Sequence, residues 1–199
     1  ATKDLYYGQL HFLRGFYYFY LTMIFNAPPL VTYATEDPNI TYGNTPQEKI
    51  YDFVESEMRK AAALLPWEWV NNEDIGRATK GAALAMLGKT YLYQQVWDSA
   101  SFFLKELIDN GPYDLVQPPV LGADSLDYLY AYLCNFSPFD LSTPNKTYKA
   151  ENNIETIFSA QFNDGFSTWG HYCNPGWQND GSLFSAYFCV NGWRNVVHS

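Results

Sequence analysis

Apolar residues recur at helical spacing through most of the first half of the chain. The stretch GFYYFYLTMIF, residues 15–25, sets six aromatic rings among eleven residues with no charge between them. At helical periodicity Leu13, Phe16, Tyr17, Tyr20 and Ile24 form one stripe, and Phe12, Phe19 and Met23 another. A helix apolar on most sides is expected to lie between other helices, with Phe16, Tyr17 and Tyr20 buried. The run ends at Asn26 and Pro28-Pro29, short of the roughly 20 apolar residues a membrane span requires.

After NAPPLVTYATEDPNITYGN, whose prolines and turn formers predict an extended loop, helix restarts at TPQE. Thr45 is placed to cap, Pro46 to open the first turn and Glu48 to close a capping box. Ile50, Phe53, Val54, Met58, Ala61 and Leu65 keep one apolar face, with Glu55 and Arg59 paired outside it, until Pro66 stops the helix. Helix resumes through RATKGAALAMLGKTYLYQQ and again in WDSASFFLKELIDNG, so residues 78–95 and 97–110 are predicted to be antiparallel. Their spacing follows the tetratricopeptide pattern. Leu84, Leu87, Gly88 and Tyr91 occupy the marks of the first helix, Ala100 and Leu104 those of the second, and Pro112 the terminal proline. Gly88 and Ala100 are expected where the two helices cross. The aromatic helix and the Thr45 helix form an earlier hairpin with a long connection.

The pattern then breaks. Only LDYLYAYL keeps helical spacing after residue 112, ENNIETIFSAQF reads as a short strand or extended core segment, and the remainder is rich in Gly, Asn and Trp. The expectation is a mainly α fold of tetratricopeptide-like hairpins, with residues 1–112 as scaffold and 113–199 as a loop-rich extension.

Composition narrows the function. Tyr, Phe and Trp number 17, 14 and 6, more than a core of this size needs, which leaves some rings for a surface. A net charge of -9 with scattered Lys and Arg disfavours nucleic acid and anionic membrane faces. Cys134, Cys173 and Cys189 lack metal spacing and read as buried free thiols. The opening residues ATKDLYYGQ have neither the basic nor the apolar region of a signal peptide. His11, His171 and His198 make no metal or triad motif, there is no GxSxG or phosphate loop, and no cofactor is indicated. The acidic pairs Glu36-Asp37 and Glu73-Asp74 read as solvated charge, which disfavours a glycoside hydrolase.

Four blocks, LHFLRGFYYFYLTMIFNAPPLV, TPQEKIYDFVESEMRKAAALLP, GRATKGAALAMLGKTYLYQQVWDSA and ENNIETIFSAQF, resemble in order and approximate spacing the SusD/RagB family of outer-membrane nutrient-binding lipoproteins. The resemblance implies a surface-exposed, lipid-anchored component of a glycan uptake system in Bacteroidota. Such a component hands oligosaccharide to a TonB-dependent outer-membrane transporter. Family members are longer at both ends, so the chain is expected to hold the helical scaffold and the beginning of a ligand region. The lipid anchor is absent from the sequence given. A peptide-binding module is the rival reading, since tetratricopeptide arrays hold peptides in a concave groove; two hairpins are few for that.

Sugar recognition uses flat aromatic faces for the C–H surfaces of the rings and planar polar groups for the hydroxyls. Trp169, Tyr172, Trp177, Asn179, Asp180, Trp193 and Arg194 supply both, together with His171 and Gln178. The same rings would equally seal a core poor in regular structure. Trp67 and Trp69 flank Glu68 in a connecting loop and present a second, weaker platform if that loop is extended.

Overall fold

Helix periodicity predicts where the backbone bonds close, and the computed structural model, which describes residues 2–34, 39–71, 74–137, 140–150 and 152–159, places helices over the periodic segments. They are α1 (Thr2–Phe25), α2 (Gln47–Leu64), α3 (Lys80–Tyr93), α4 (Trp97–Asn110) and α5 (Ser125–Leu133). A two-residue hairpin pair, β1 (Leu141–Ser142) and β2 (Thr147–Tyr148), follows with Leu141 opposite Tyr148. The fold is mainly α, as the pattern predicts. No helix among the described residues is long and apolar enough to cross a membrane.

The buried face of α1 differs from the expected one. Gly8, Phe12, Gly15, Phe19 and Thr22 face α2, whereas Tyr17 is 61% exposed and Phe16 and Tyr20 are only partly covered. The reason is steric. A Cβ on Gly8 would lie 2.9 Å from Leu65 Cγ, and one on Gly15 would lie 2.9 Å from Met58 Cε. The stripe carrying the glycines lets α2 approach closely, and the bulkier stripe turns outward. The start of α2 differs too: Pro46 is the N-cap and no side chain caps the helix. Thr45 Oγ1 instead accepts from Leu30 N–H at 3.1 Å, and Thr45 N–H donates to Pro28 O, tying the preceding loop to the helix. Tyr18 holds the same loop, its hydroxyl donating to Val31 O and accepting from Val31 N–H.

The α3–α4 hairpin matches expectation. Leu84, Leu87, Gly88, Tyr91 and Ala100 are buried, Thr79 caps α3 by accepting from Ala82 N–H, and α4 ends at Gly111. Glu55 and Arg59 do not pair directly; they meet through Tyr91, whose hydroxyl donates to Glu55 and accepts from Arg59 at 2.8 Å. The Tyr91 ring in turn stacks on Phe103, 5.6 Å away at 4°.

Beyond α4, LDYLYAYL is helical as predicted, started by an Asp124–Asp127 capping box that the sequence reading did not identify. Ala131, Cys134 and Tyr148 form a small second core, and Cys134 is a buried free thiol. Cys173 and Cys189 lie outside the described residues. Asp127, buried at the foot of α5, accepts from Thr143 Oγ1, Asn145 Nδ2 and the Tyr148 hydroxyl. The Thr143 hydroxyl, helped by Asn145 and by the Asp124 backbone amide, holds the Asp127 carboxyl down at about 2, against the effect of desolvation. Burial, then the Asp127 hydrogen bond, pushes the Tyr148 phenol up to about 12. Of the two readings of ENNIETIFSAQF, short strand or extended core segment, the strand does not form over the described part: the backbone turns at Asn153, whose carbonyl accepts from Thr156 N–H, and Asn152 sits at φ 49°, while Ile157 packs against the core. Side-chain bonds from Asn153 to this turn win over ladder pairing.

Candidate functional site

The loop between α2 and α3 carries WEW, and its two indoles do not behave alike. Trp69 donates its Nε1–H to Ala78 O at 3.0 Å, which consumes its polar handle and leaves its ring as an apolar surface. Trp67 has the Lys80 ammonium 4.6 Å from its ring centroid. Both indoles are partly buried against the helical core, and both also line an open cleft of about 350 Å³.

Across the cleft stand Tyr113, just after α4, and the 152–158 segment. Tyr113 is seated tightly on α3. A Cβ on Gly81 would fall 2.3 Å from its hydroxyl, which also hydrogen-bonds Thr79 Oγ1 at 3.0 Å. Burial raises the Tyr113 phenol above its ordinary value, the Thr79 bond opposes this, and the nearby Glu68 carboxylate adds to the rise. The opposite wall is pinned from behind. Glu155 accepts from Val116 N–H and from Asn135 Nδ2, both at 2.7 Å, and Asn153 Nδ2 donates to Asn135 Oδ1 at 2.7 Å. Ile154 O accepts from Asp114 N–H, and the Phe158 ring packs edge-on against Phe12, 5.0 Å away. A segment without regular structure is thereby fixed at both ends.

Two charged side chains complete the cleft. Arg77 uses Nε toward Asp74 at 2.7 Å and Nη1 toward Gln9 at 3.2 Å, leaving part of its five-donor fork for a ligand. Glu68 is exposed, its carboxylate engaged by no hydrogen bond or ion pair among the described residues. Trp69, Glu68 and Arg77 also border a second cleft of about 400 Å³ against the start of α1, so the loop forms a ridge between two hollows. Apolar faces beside a carboxylate and a guanidinium with open hydrogen-bonding positions combine the two chemistries that recognition of a polyhydroxylated ring uses, apolar surface for C–H faces and polar groups for hydroxyls.

Of the residues the sequence singled out, Trp67 and Trp69 are brought together here. Trp169, Tyr172, Trp177, Asn179, Asp180, Trp193 and Arg194 lie outside the described residues, as do His171 and Gln178. Arg77, Tyr113 and the 152–158 wall were not identified from sequence. The signal for Tyr113 was the small residue Gly81, which marks a ring lying on α3.

The model of a family described as starch-binding and associating with the outer membrane matches residues 2–92. A SusD superfamily structure from Bacteroides vulgatus is similar at 31% identity and a TM-score of 0.62, over 79% of this chain and 29% of its own. A SusD-like structure from Bacteroides fragilis is similar at 26% identity and 0.60, over 78% and 26% respectively. A laminarin-binding SusD-like protein is similar at 26% identity and 0.59, over 87% and 33%. The chain therefore spans about a quarter to a third of the length of the structures it matches. No curated protein matches it.

Proposed function

We propose that this chain belongs to the SusD/RagB family, that it is part of a glycan-binding protein, and that it contributes an oligosaccharide site at the cleft between the WEW loop and the 152–158 wall. The observation that carries the reading is the cleft itself, where Trp67 and Trp69 stand beside Tyr113, Glu68 and Arg77. The chemistry is binding. The starch-binding description of the matching family supports binding rather than hydrolysis as that chemistry.

Trp169, Tyr172, Trp177, Asn179, Asp180, Trp193 and Arg194 stand in this reading as glycan contacts proposed from the sequence, the rings for stacking and the polar groups for hydroxyls. The ligand is neutral, because the chain's charge of -9 repels an acidic polysaccharide. In this reading the protein sits lipid-anchored on the outer-membrane surface and passes oligosaccharide to a TonB-dependent transporter; the family description, starch-binding and associating with the outer membrane, supports the outer-membrane association alone. Laminarin and starch fragments are the first ligands to try, by affinity electrophoresis and titration calorimetry on the full-length protein. Retardation by a neutral glycan and none by an acidic one supports the reading. Binding to no glycan, or to acidic ones alone, contradicts it.

A further inference from the structure

We infer that the outward face of α5 is a second contact for the same glycan, so that the protein grips a long chain at two places. The inference rests on the glycan-binding reading above. Tyr128, Tyr132 and Phe136 follow one another at four-residue intervals and are 63%, 63% and 71% exposed. Tyr128 and Tyr132 stand about 6 Å apart along α5, and Phe136 follows in the turn just after the helix, so three exposed rings succeed one another along this edge. Tyr132 and Phe136 have centroids 5.2 Å apart and planes at 49°, a twisted surface suited to a twisting sugar chain.

Charge argues for the occupant. In a chain of net charge -9, α5 carries a single charged residue, Asp127, and that carboxylate is buried at the foot of the helix. The exposed face therefore offers rings and phenol hydroxyls without charge, which matches a neutral polyol better than a charged peptide or an anionic lipid surface. Continuity with the cleft is the second argument. Asn135, the residue before Phe136, is bonded to Asn153 and to Glu155, and Asn153 lines the cleft. The row of rings thus ends where the cleft wall is anchored. The face is also held firmly, through the Asp127 hydrogen bonds to Thr143, Asn145 and Tyr148.

Two contacts on one chain raise apparent affinity for long ligands only. The test uses the full-length protein, a short neutral gluco-oligosaccharide and the long parent glucan. Tyr128→Ser with Tyr132→Ser is expected to weaken binding of the long glucan about tenfold, as the loss of stacked rings does elsewhere, and to leave the short ligand and the melting temperature unchanged. Nitration read by mass spectrometry supplies an independent measurement: both tyrosines are expected to react in the free protein and to be protected by the glucan. Unreactive tyrosines in the free protein mean that other parts of the protein cover this face, and overturn the inference. So does unchanged long-chain affinity in the double variant. Both outcomes leave the cleft reading standing, whereas wild-type protein that binds neither ligand overturns the two together.

Discussion

A Cβ placed on Gly88 of α3 would lie 2.5 Å from both Cγ and Cδ2 of Leu104 on α4. The hairpin closes at this point because one residue has no side chain and the other fills the vacated space. Gly88→Ala gains about 1 kcal/mol of helix propensity but forces Leu104 aside at a cost of about 1–3 kcal/mol. A net destabilisation is expected in the parent protein. In a Leu104→Ala background the same change is expected to stabilise, because only the propensity gain remains. Chemical denaturation of the four proteins of this cycle measures the change of sign.

The buried stripe of α1 gives a paired prediction. Phe19, fully buried, is expected to cost about 3–5 kcal/mol when changed to Ala. Tyr17→Ala is expected to stay within about 0.5 kcal/mol, in keeping with its exposure. Thermal melts of the two variants distinguish this arrangement from the one in which Tyr17 faces the core.

Glu57 is the charged group that joins α1 to α2. Its side chain is 1% exposed, with His11 Nδ1 at 2.8 Å, Arg14 Nη2 at 2.6 Å and Lys60 Nζ at 3.1 Å. Burial alone would raise its carboxyl, but the hydrogen bonds from His11, Arg14 and Lys60 outweigh burial and hold it below the ordinary carboxylate range. A depressed folded-state value stabilises above the unfolded value and is lost as pH falls through the folded one. Glu57→Gln is expected to cost about 1–3 kcal/mol at neutral pH, with a flatter decline in stability toward acid than the parent shows. Equal acid slopes for the two proteins contradict this role.

Asp127 organises α5 and the β1–β2 hairpin in the same manner. With its carboxyl held at about 2, its contribution is complete above the ordinary carboxylate value and disappears only as pH falls toward 2. Amide NMR is expected to find residues 125–137 and 140–148 ordered at pH values where an ordinary Asp has already protonated. Asp127→Asn, which replaces an acceptor-only carboxylate by an amide, is expected to loosen this region at neutral pH while leaving α3 and α4 unchanged.

Helices were legible in the sequence because their signal is local. Apolar spacing, Gly88 with Ala100, and the stops at Pro66 and Gly111 each report on a few neighbouring residues. Faces were less legible. In α1 the ring-rich stripe competes with the one carrying Gly8 and Gly15, and only the approach of Leu65 and Met58 decides between them. Thr45 shows the same limit: its hydroxyl had a local use in a capping box, and a residue 15 positions earlier took it. Of the cleft, the two indoles were legible as unusual loop residues. Tyr113 and the 152–158 wall were not, because they reach the site through Thr79, Asn135 and Glu155, contacts between segments distant in sequence.

Titration calorimetry of neutral oligosaccharide into the full-length protein, comparing parent, Trp67→Ala, Trp69→Ala and Trp169→Ala with melting temperatures in parallel, tests the central claim most directly. The account predicts saturable binding by the parent and a loss of about tenfold or more for Trp67→Ala or Trp69→Ala under conditions where the variant, though less stable, is still fully folded. A comparable loss in Trp169→Ala identifies that residue as a glycan contact as well. Undiminished binding by both cleft variants, or a loss of affinity confined to conditions where the variants are partly unfolded, would return the two indoles to the core and contradict the account.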